Sequence, residues 1–550
     1  MSTAVPTIRP LDAAGRPGAI ERSVAGFPVL LRLAFRRERV IAPVTVVLFV
    51  LTDLATAASV SSMYGDAAAR TGLQAGVGAN AAFNFLLGEL VHTEPLAAVV
   101  AWRAGLFMIA ALGVCAAIMT VRQTRKEEEL GRTELMRAGA VGPLAPLVAG
   151  AIVAVVFTIV VALGMSLILL PYGAAAGDVA AVFAQYAATG VAGVGIALVA
   201  AQIATTSHIA NLAATSVMLV GYLLRGAADA IGGWGWLRWC SPVGWAELID
   251  PFGANNGWPA MLSPAVFVVG AVAAGWVAVH RDYGAGLIAP RQGPPASARL
   301  GGIEALAARL LSPVLRSWVG GLFFYAAVVG FMRPSVGDLA EGNAMFAQVV
   351  RGTLGGATLS TLFSMTMISF LAVACSGFAV NVSERLRAEE EAARAETLLA
   401  TPTSRSRYFG AYLTIAVLGT VIALLGVGIG MVLGCGVAGG GWATPAGETA
   451  KSVAVQVPAT LVMVTLAVAL YAVRPVLVHM GWIAVVLAFF LGPLSGLFNL
   501  PQWVEDLSPF THTPMVPVEP MRWLTVVVML CVAAVFAIVG WWAFRRRDVG

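Results

Sequence analysis

The chain has 550 residues, of which 59% are hydrophobic and 11% charged, with a formal net charge of +5. Soluble domains carry about a quarter charged residues, so this composition excludes a water-soluble fold and leaves a bilayer as the solvent for most side chains. It also excludes a nucleic-acid partner, because the basic residues stand at the ends of apolar runs and form no patch of their own.

In chain order, residues 1–26 are polar and rich in Pro, Gly and Arg, without the apolar stretch of a signal peptide. They read as a disordered tail. Residues 27–40 (FPVLLRLAFRRERV) mix Leu with Arg, as an interfacial helix would; a plain basic linker is the other reading. Apolar runs long enough to cross a membrane as helices follow at about 41–60, 99–121, 144–170, 179–201, 209–230 and 261–280. Residues 291–302 contain the end of a breaker-rich linker, PRQGPPASA. A second mixed Leu/Arg stretch at 303–316 precedes runs at about 319–332, 357–380, 411–435, 453–473, 476–498 and 524–544. The predicted fold class is all-α, with about twelve transmembrane helices. The runs are too long for barrel strands and do not alternate. With the N-terminus inside, 26 of the 34 basic residues fall on the inner side, which places both termini in the cytoplasm.

The chain repeats itself. Glu127-Glu128-Glu129 with Arg132 and Glu134 returns as Glu389-Glu390-Glu391 with Arg394 and Glu396. Trp236 with Ser241-Pro242 returns as Trp503 with Ser508-Pro509, and Arg281-Asp282-Tyr283-Gly284 returns as Arg547-Asp548-Val549-Gly550. Three markers in one order at nearly one offset predict two halves, 27–290 and 303–550. With six spans each, the halves are parallel repeats. Gly-rich stretches at 190–195 and 426–434 suit close helix packing. The Trp-bearing loops suit interfacial anchoring, or a short re-entrant hairpin before the last span of each half.

The duplicated acidic segments carry i,i+4 spacings, Arg125–Glu129 and Glu128–Arg132, then Arg387–Glu391 and Glu390–Arg394. Such pairs support exposed helices. Each segment runs into an apolar tip, Leu135-Met136 or Leu398-Leu399. A short cytoplasmic helix with an apolar tip can dock in a groove of a soluble partner; a solvated loop that only orients the protein is the alternative.

EEELGRTELMRAGAVGP (127–143) and EEEAARAETLLATPTSR (389–405) resemble the acidic stretch of ABC-2 permeases, in particular the double-length actinobacterial exporters of polyketide antibiotics of the tetronasin type. The two Ser-Pro turns and the terminal Arg-Arg-Asp-Val-Gly are similar to the same family. The resemblance spans both halves. It implies a permease in the bacterial plasma membrane that moves hydrophobic or amphipathic compounds outward, driven by a pair of cytoplasmic ATPase subunits. Those subunits would dock on the two acidic segments. A phosphate-binding loop needs G-x-x-x-x-G-K-[ST]. Lys126 precedes Glu127, and Lys451-Ser452 follows Ala450, so neither lysine fits. ATP and Mg are therefore expected on the partner, with no cofactor on this chain and no enzyme activity of its own.

Charges inside spans are costly and mark sites by default. Asp53, Arg103, Arg225 and Asp229 are the candidates for a substrate path, with structural pairing or snorkelling as the alternative. A proton-driven secondary transporter also fits twelve spans in two parallel halves, but leaves the paired acidic segments without a role.

Overall fold

The computed structural model describes residues 22–77, 81–137, 139, 141–230, 233–281, 286–287, 300–341, 358–493 and 501–548. Most of the expected tail, most of the expected linker, and the Asp282-Tyr283-Gly284 and Val549-Gly550 parts of the repeat lie outside these residues. The chain divides into two compact units, Met1–Gln292 and Gly293–Gly550. Among the described residues eleven helices are long and apolar enough to cross a membrane.

The first half begins with α1 (Phe27–Glu38), which buries Leu30, Ala34 and Glu38 along one face. The turn before it is tied down, since the Gly142 and Leu144 amides donate to the Ala25 and Ser23 carbonyls. That part of the expected tail, at least, is held by backbone hydrogen bonds. The first span, α2 (Ile41–Tyr64), buries only Phe49, Asp53, Ala57 and Val60, a single stripe at helical spacing. Two short helices follow, α3 (Ala67–Val77) and α4 (Ala81–Leu87). The second span, α5 (Leu96–Gln123), breaks at Thr124 and continues as α6 (Arg125–Glu129), then α7 (Arg132–Arg137). The remaining spans are α8 (Ala145–Leu167), α9 (Ala176–Ile203), α10 (Ser207–Ala230) and α12 (Leu262–His280), with the short α11 (Pro242–Glu247) before the last.

The helix α9 sits at the centre, packed by α5, α8, α10 and α12. It can do so because its contact positions are small. A Cβ on Gly193 would strike the backbone of Gly113 on α5, and a Cβ on Gly270 of α12 would strike the backbone of Gly195. Lipid gives little hydrophobic drive for helix association, so close backbone approach supplies the contact energy.

The second half repeats this plan with α14 (Leu359–Glu391), α15 (Arg394–Leu399), α16 (Arg405–Val437), α17 (Ala443–Val473), α18 (Met480–Leu491), α19 (Gln502–Glu505) and α20 (Trp523–Arg546). Here α17 is central, packed by α14, α16, α18 and α20. Two expectations are corrected. Residues 303–316 do not form a separate interfacial helix; they are the first turns of one 39-residue helix, α13 (Ile303–Glu341), which passes through Pro313. Proline removes the donor that the Arg309 carbonyl would use, and the Ser312 hydroxyl replaces it at 3.1 Å. The expected span at 476–498 is shorter: the apolar helix covers Pro475–Leu491, and Gly492 and Pro493 end it, with residues 494–498 outside the described set.

Both Ser-Pro turns fold back on the preceding span through the same bond. Ser241 Oγ donates to the Gly221 carbonyl at 3.0 Å, and Ser508 Oγ to the Ala488 carbonyl at 3.0 Å. The serine is buried in each case. The marker seen in the sequence is thus a structural clasp made twice.

Candidate functional site

The acidic segments are not straight exposed helices. Each carries a left-handed residue four positions after its first glutamate, Gly131 at φ 70° and Ala393 at φ 54°. The chain kinks there, which breaks the helical register. Of the four expected i,i+4 pairs only Arg387–Glu391 forms, at 2.6 Å. The kink instead turns Arg132 back to Glu127 (3.1 Å) and Arg394 back to Glu389 (2.7 Å), both five residues apart. Arg125 pairs with Glu128 at 3.0 Å, not with Glu129.

The three glutamates of each copy have distinct partners. The first, Glu127 or Glu389, is buried and holds the arginine beyond the kink. Glu127 also takes Arg37 of α1 at 2.7 Å, and Glu389 takes Arg385 at 2.7 Å. The second, Glu128 or Glu390, binds the arginine that ends the last span of the same half. Arg281 reaches Glu128 at 2.6 Å, and Arg547 pairs with Glu390. The third faces the start of the fifth span: the Ser207 amide donates to Glu129 at 2.9 Å, and Arg387, paired with Glu391, meets His479 Nε2 at 2.8 Å.

The terminal arginines also engage the central helix. Arg281 Nε donates to Gln202 at 2.8 Å on α9, and Arg547 donates to the Tyr471 carbonyl at 3.4 Å on α17, with its guanidinium 5.1 Å from the Tyr471 ring. In both halves one arginine therefore ties the second, fourth and sixth spans at the kinked end. Burial makes the tie stiff: Glu128 is 8% and Glu390 13% exposed, and a desolvated ion pair resists separation.

Beyond the kinks, the short helices α7 and α15 show Glu134, Leu135 and Glu396 to the outside, with Leu135 79% exposed. Met136 packs partly on α1, and Leu398 and Leu399 pack partly on the core of their own half. The two apolar tips are therefore unequal in what they present.

The intramembrane candidates separate. Arg225 and Asp229 form a fully buried ion pair at 2.8 Å. Arg225 also donates to the carbonyls of Leu86 (3.0 Å) and Asn84 (3.4 Å), holding the end of α4, and Arg238 Nε reaches Asp229 at 2.7 Å. This is the pairing that a buried charge needs. Asp53 is buried on α2 and forms no hydrogen bond or ion pair among the described residues; Arg103 is exposed. Neither joins the Arg225–Asp229 pair. Arg281 and Arg547 were visible in the sequence as repeat markers, and their offset from the glutamates was the signal for the contact. Arg238, Glu247 and the helices α3 and α4 carried no repeat and no long apolar run, so nothing flagged them.

A family model described as ABC-2 type transporter matches residues 29–247. Another, described as Multidrug efflux system permease Rv1217c, C-terminal domain, matches residues 300–545. The chain is similar to the multidrug efflux system permease protein Rv1217c of Mycobacterium tuberculosis (strain ATCC 25618 / H37Rv), with 34% identity over 534 residues covering 94% of each chain. With eleven helices among the described residues long and apolar enough to cross a membrane, two half-length units and these matches, the chain belongs to the ABC-2 type transporter permeases and is the transmembrane permease of an ABC exporter.

Proposed function

We propose that this permease exports hydrophobic or amphipathic compounds — a drug, a polyketide or a lipid — from the cytoplasm across a bacterial plasma membrane. Two separate ATPase subunits, which hold ATP and Mg, dock at the two kinks, and both termini lie in the cytoplasm. The observation that carries this reading is the matched pair of arginine ties, Arg281–Glu128 and Arg547–Glu390. A motor pressing on α7 or α15 moves a kink that is bonded to the last span and the central helix of its half, so a push at one end becomes a movement of three spans. The similarity to a protein named as a multidrug efflux permease supports a broad apolar substrate range.

The test is transport in inverted membrane vesicles carrying the chain and its ATPase. Uptake of a hydrophobic dye is expected to need ATP, to stop with vanadate and to survive an uncoupler. Uptake that an uncoupler abolishes and that proceeds without ATP would support a proton-driven carrier instead.

A further inference from the structure

At the end of the first half opposite the kink there is a cavity of about 370 Å³. That volume lies in the range of small-molecule sites, roughly 300–1,000 Å³. Separate segments bring ionisable groups to its lining: Glu89 and His92 after α4, Arg238 from the 3-10 turn at Gly235–Cys240, Glu247 at the end of α11, and Asp250 just beyond.

These charges do not balance. Arg225 and Arg238 share Asp229, and Glu247 Oε2 stands 3.4 Å from Arg238 Nε. Asp229 thus serves both guanidinium groups, and Glu247 adds a second carboxylate only at a long contact and only when it is ionised. Glu89 and Asp250 remain. His92 Nε2 lies 3.1 Å from Asp250 Oδ1 and offsets it only when protonated. The lining is therefore net negative. Glu247 Oε2 is also buried without a hydrogen-bond donor, and a buried acceptor of that kind is a place for a donor to arrive. The walls are apolar and aromatic. Trp102 is fixed by its indole N–H donating to the Gly88 carbonyl at 2.8 Å, and Phe252 is held at φ 66° beside Asp250 at φ 52°. Bulky residues in left-handed backbone cost energy and persist where the surroundings enforce them.

We propose that this cavity binds an amphipathic organic cation, its charged group among Glu247, Glu89 and Asp250 and its apolar body against Trp102 and Phe252. Anionic groups beside aromatic faces are the recognition chemistry for such cations. The proposal narrows the substrate class of the exporter and rests on that reading only for the fate of the cation after it binds.

Binding should depend on pH. Glu247 lies outside the spanning helices, and burial pushes its carboxyl up to about 8. The charged groups around it are Arg225 and Asp229 from α10, Arg238 from the turn, Glu89 from the loop after α4, and the His92–Asp250 pair. A cation favours the ionised form of Glu247 and so displaces its proton. Raising the pH ionises Glu247, which favours a cation, so affinity rises with pH.

The experiment titrates ethidium into the full chain in lipid nanodiscs, followed by fluorescence, without ATP or ATPase. Saturable binding is expected, displaced by tetraphenylphosphonium and not by neutral triphenylphosphine oxide, and about tenfold tighter at about pH 9 than at about pH 6. Glu247→Gln is expected to flatten the pH dependence and weaken binding at high pH by about tenfold. Glu89→Gln, at an exposed position, is expected to weaken it by about threefold, and keeps the test open should the buried variant fold poorly. Equal displacement by the neutral compound, no saturable binding, or unchanged affinity in the variant that folds overturns the proposal. A cation site present in a chain without vanadate-sensitive transport would remove the export reading and leave the site standing.

Discussion

An Asp229→Ala chain is expected to be less stable than the parent by about 3–5 kcal/mol, because the change strands a buried cation. Arg225 has no exposed side-chain surface, and Asp229 is its counter-charge. The same carboxylate receives Arg238, so one substitution leaves two guanidinium groups without their shared partner. Arg225→Met acts differently. It removes the charge but also the donors to the Leu86 and Asn84 carbonyls, each lost bond costing about 1–3 kcal/mol when the acceptor stays buried. The double variant, Arg225→Met with Asp229→Ala, should therefore lie above the sum of the two single losses, since no uncompensated charge remains at the pair. Denaturation midpoints of the four chains in detergent, together with protease sensitivity of residues 81–87, measure this. Additive losses would mean that the pair does not hold α4.

The second large effect concerns coupling. Changing Arg281 and Arg547 together to Gln is expected to lower ATP-driven transport by tenfold or more, about 1.4 kcal/mol or more in the conformational step, while the ATPase still associates. The two sites should not contribute equally. Glu128 keeps Arg125 at 3.0 Å when Arg281 is lost. Among the described residues Arg547 is the ion partner of Glu390, and it also covers Tyr471. Arg547→Gln alone is thus expected to cost more than Arg281→Gln alone. Vesicle transport and ATPase co-purification, measured side by side, separate loss of coupling from loss of docking.

Much of the fold was legible because lipid imposes a simple code. Runs of apolar residues must be helices, since no water is present to satisfy open backbone, and among the described residues eleven of the twelve expected spans are present as long helices. The exceptions have local causes. Ser312 rescues the helix at Pro313, and Gly492 and Pro493 end the short helix about seven residues before its expected end. The acidic segments were legible as duplicated features but not in their pairing. Spacing rules assume an unbroken helix, and the left-handed Gly131 and Ala393 rotate the following arginine onto the first glutamate. A glycine in the first copy hinted at this; an alanine in the second did not. Contacts such as Arg547–Glu390 join residues far apart in sequence, and only the nearly equal offsets of the repeat markers foreshadowed them. The cavity was not legible at all: α5 and α9 supply part of its wall, but its ionisable lining comes from loops and one-turn helices that have no period.

In the proposed docking the ATPase meets the outward-facing side chains of the short helices beyond the kinks, Glu134, Leu135 and Glu396. These make few contacts of their own within each half, so changing them tests docking without unsettling the fold. The direct measurement is co-purification of the ATPase with a chain carrying Glu134→Arg, Leu135→Glu and Glu396→Arg, alongside its denaturation midpoint. Loss of the ATPase from a chain that stays as stable as the parent is the predicted result; stoichiometric ATPase and undiminished vanadate-sensitive efflux would contradict it.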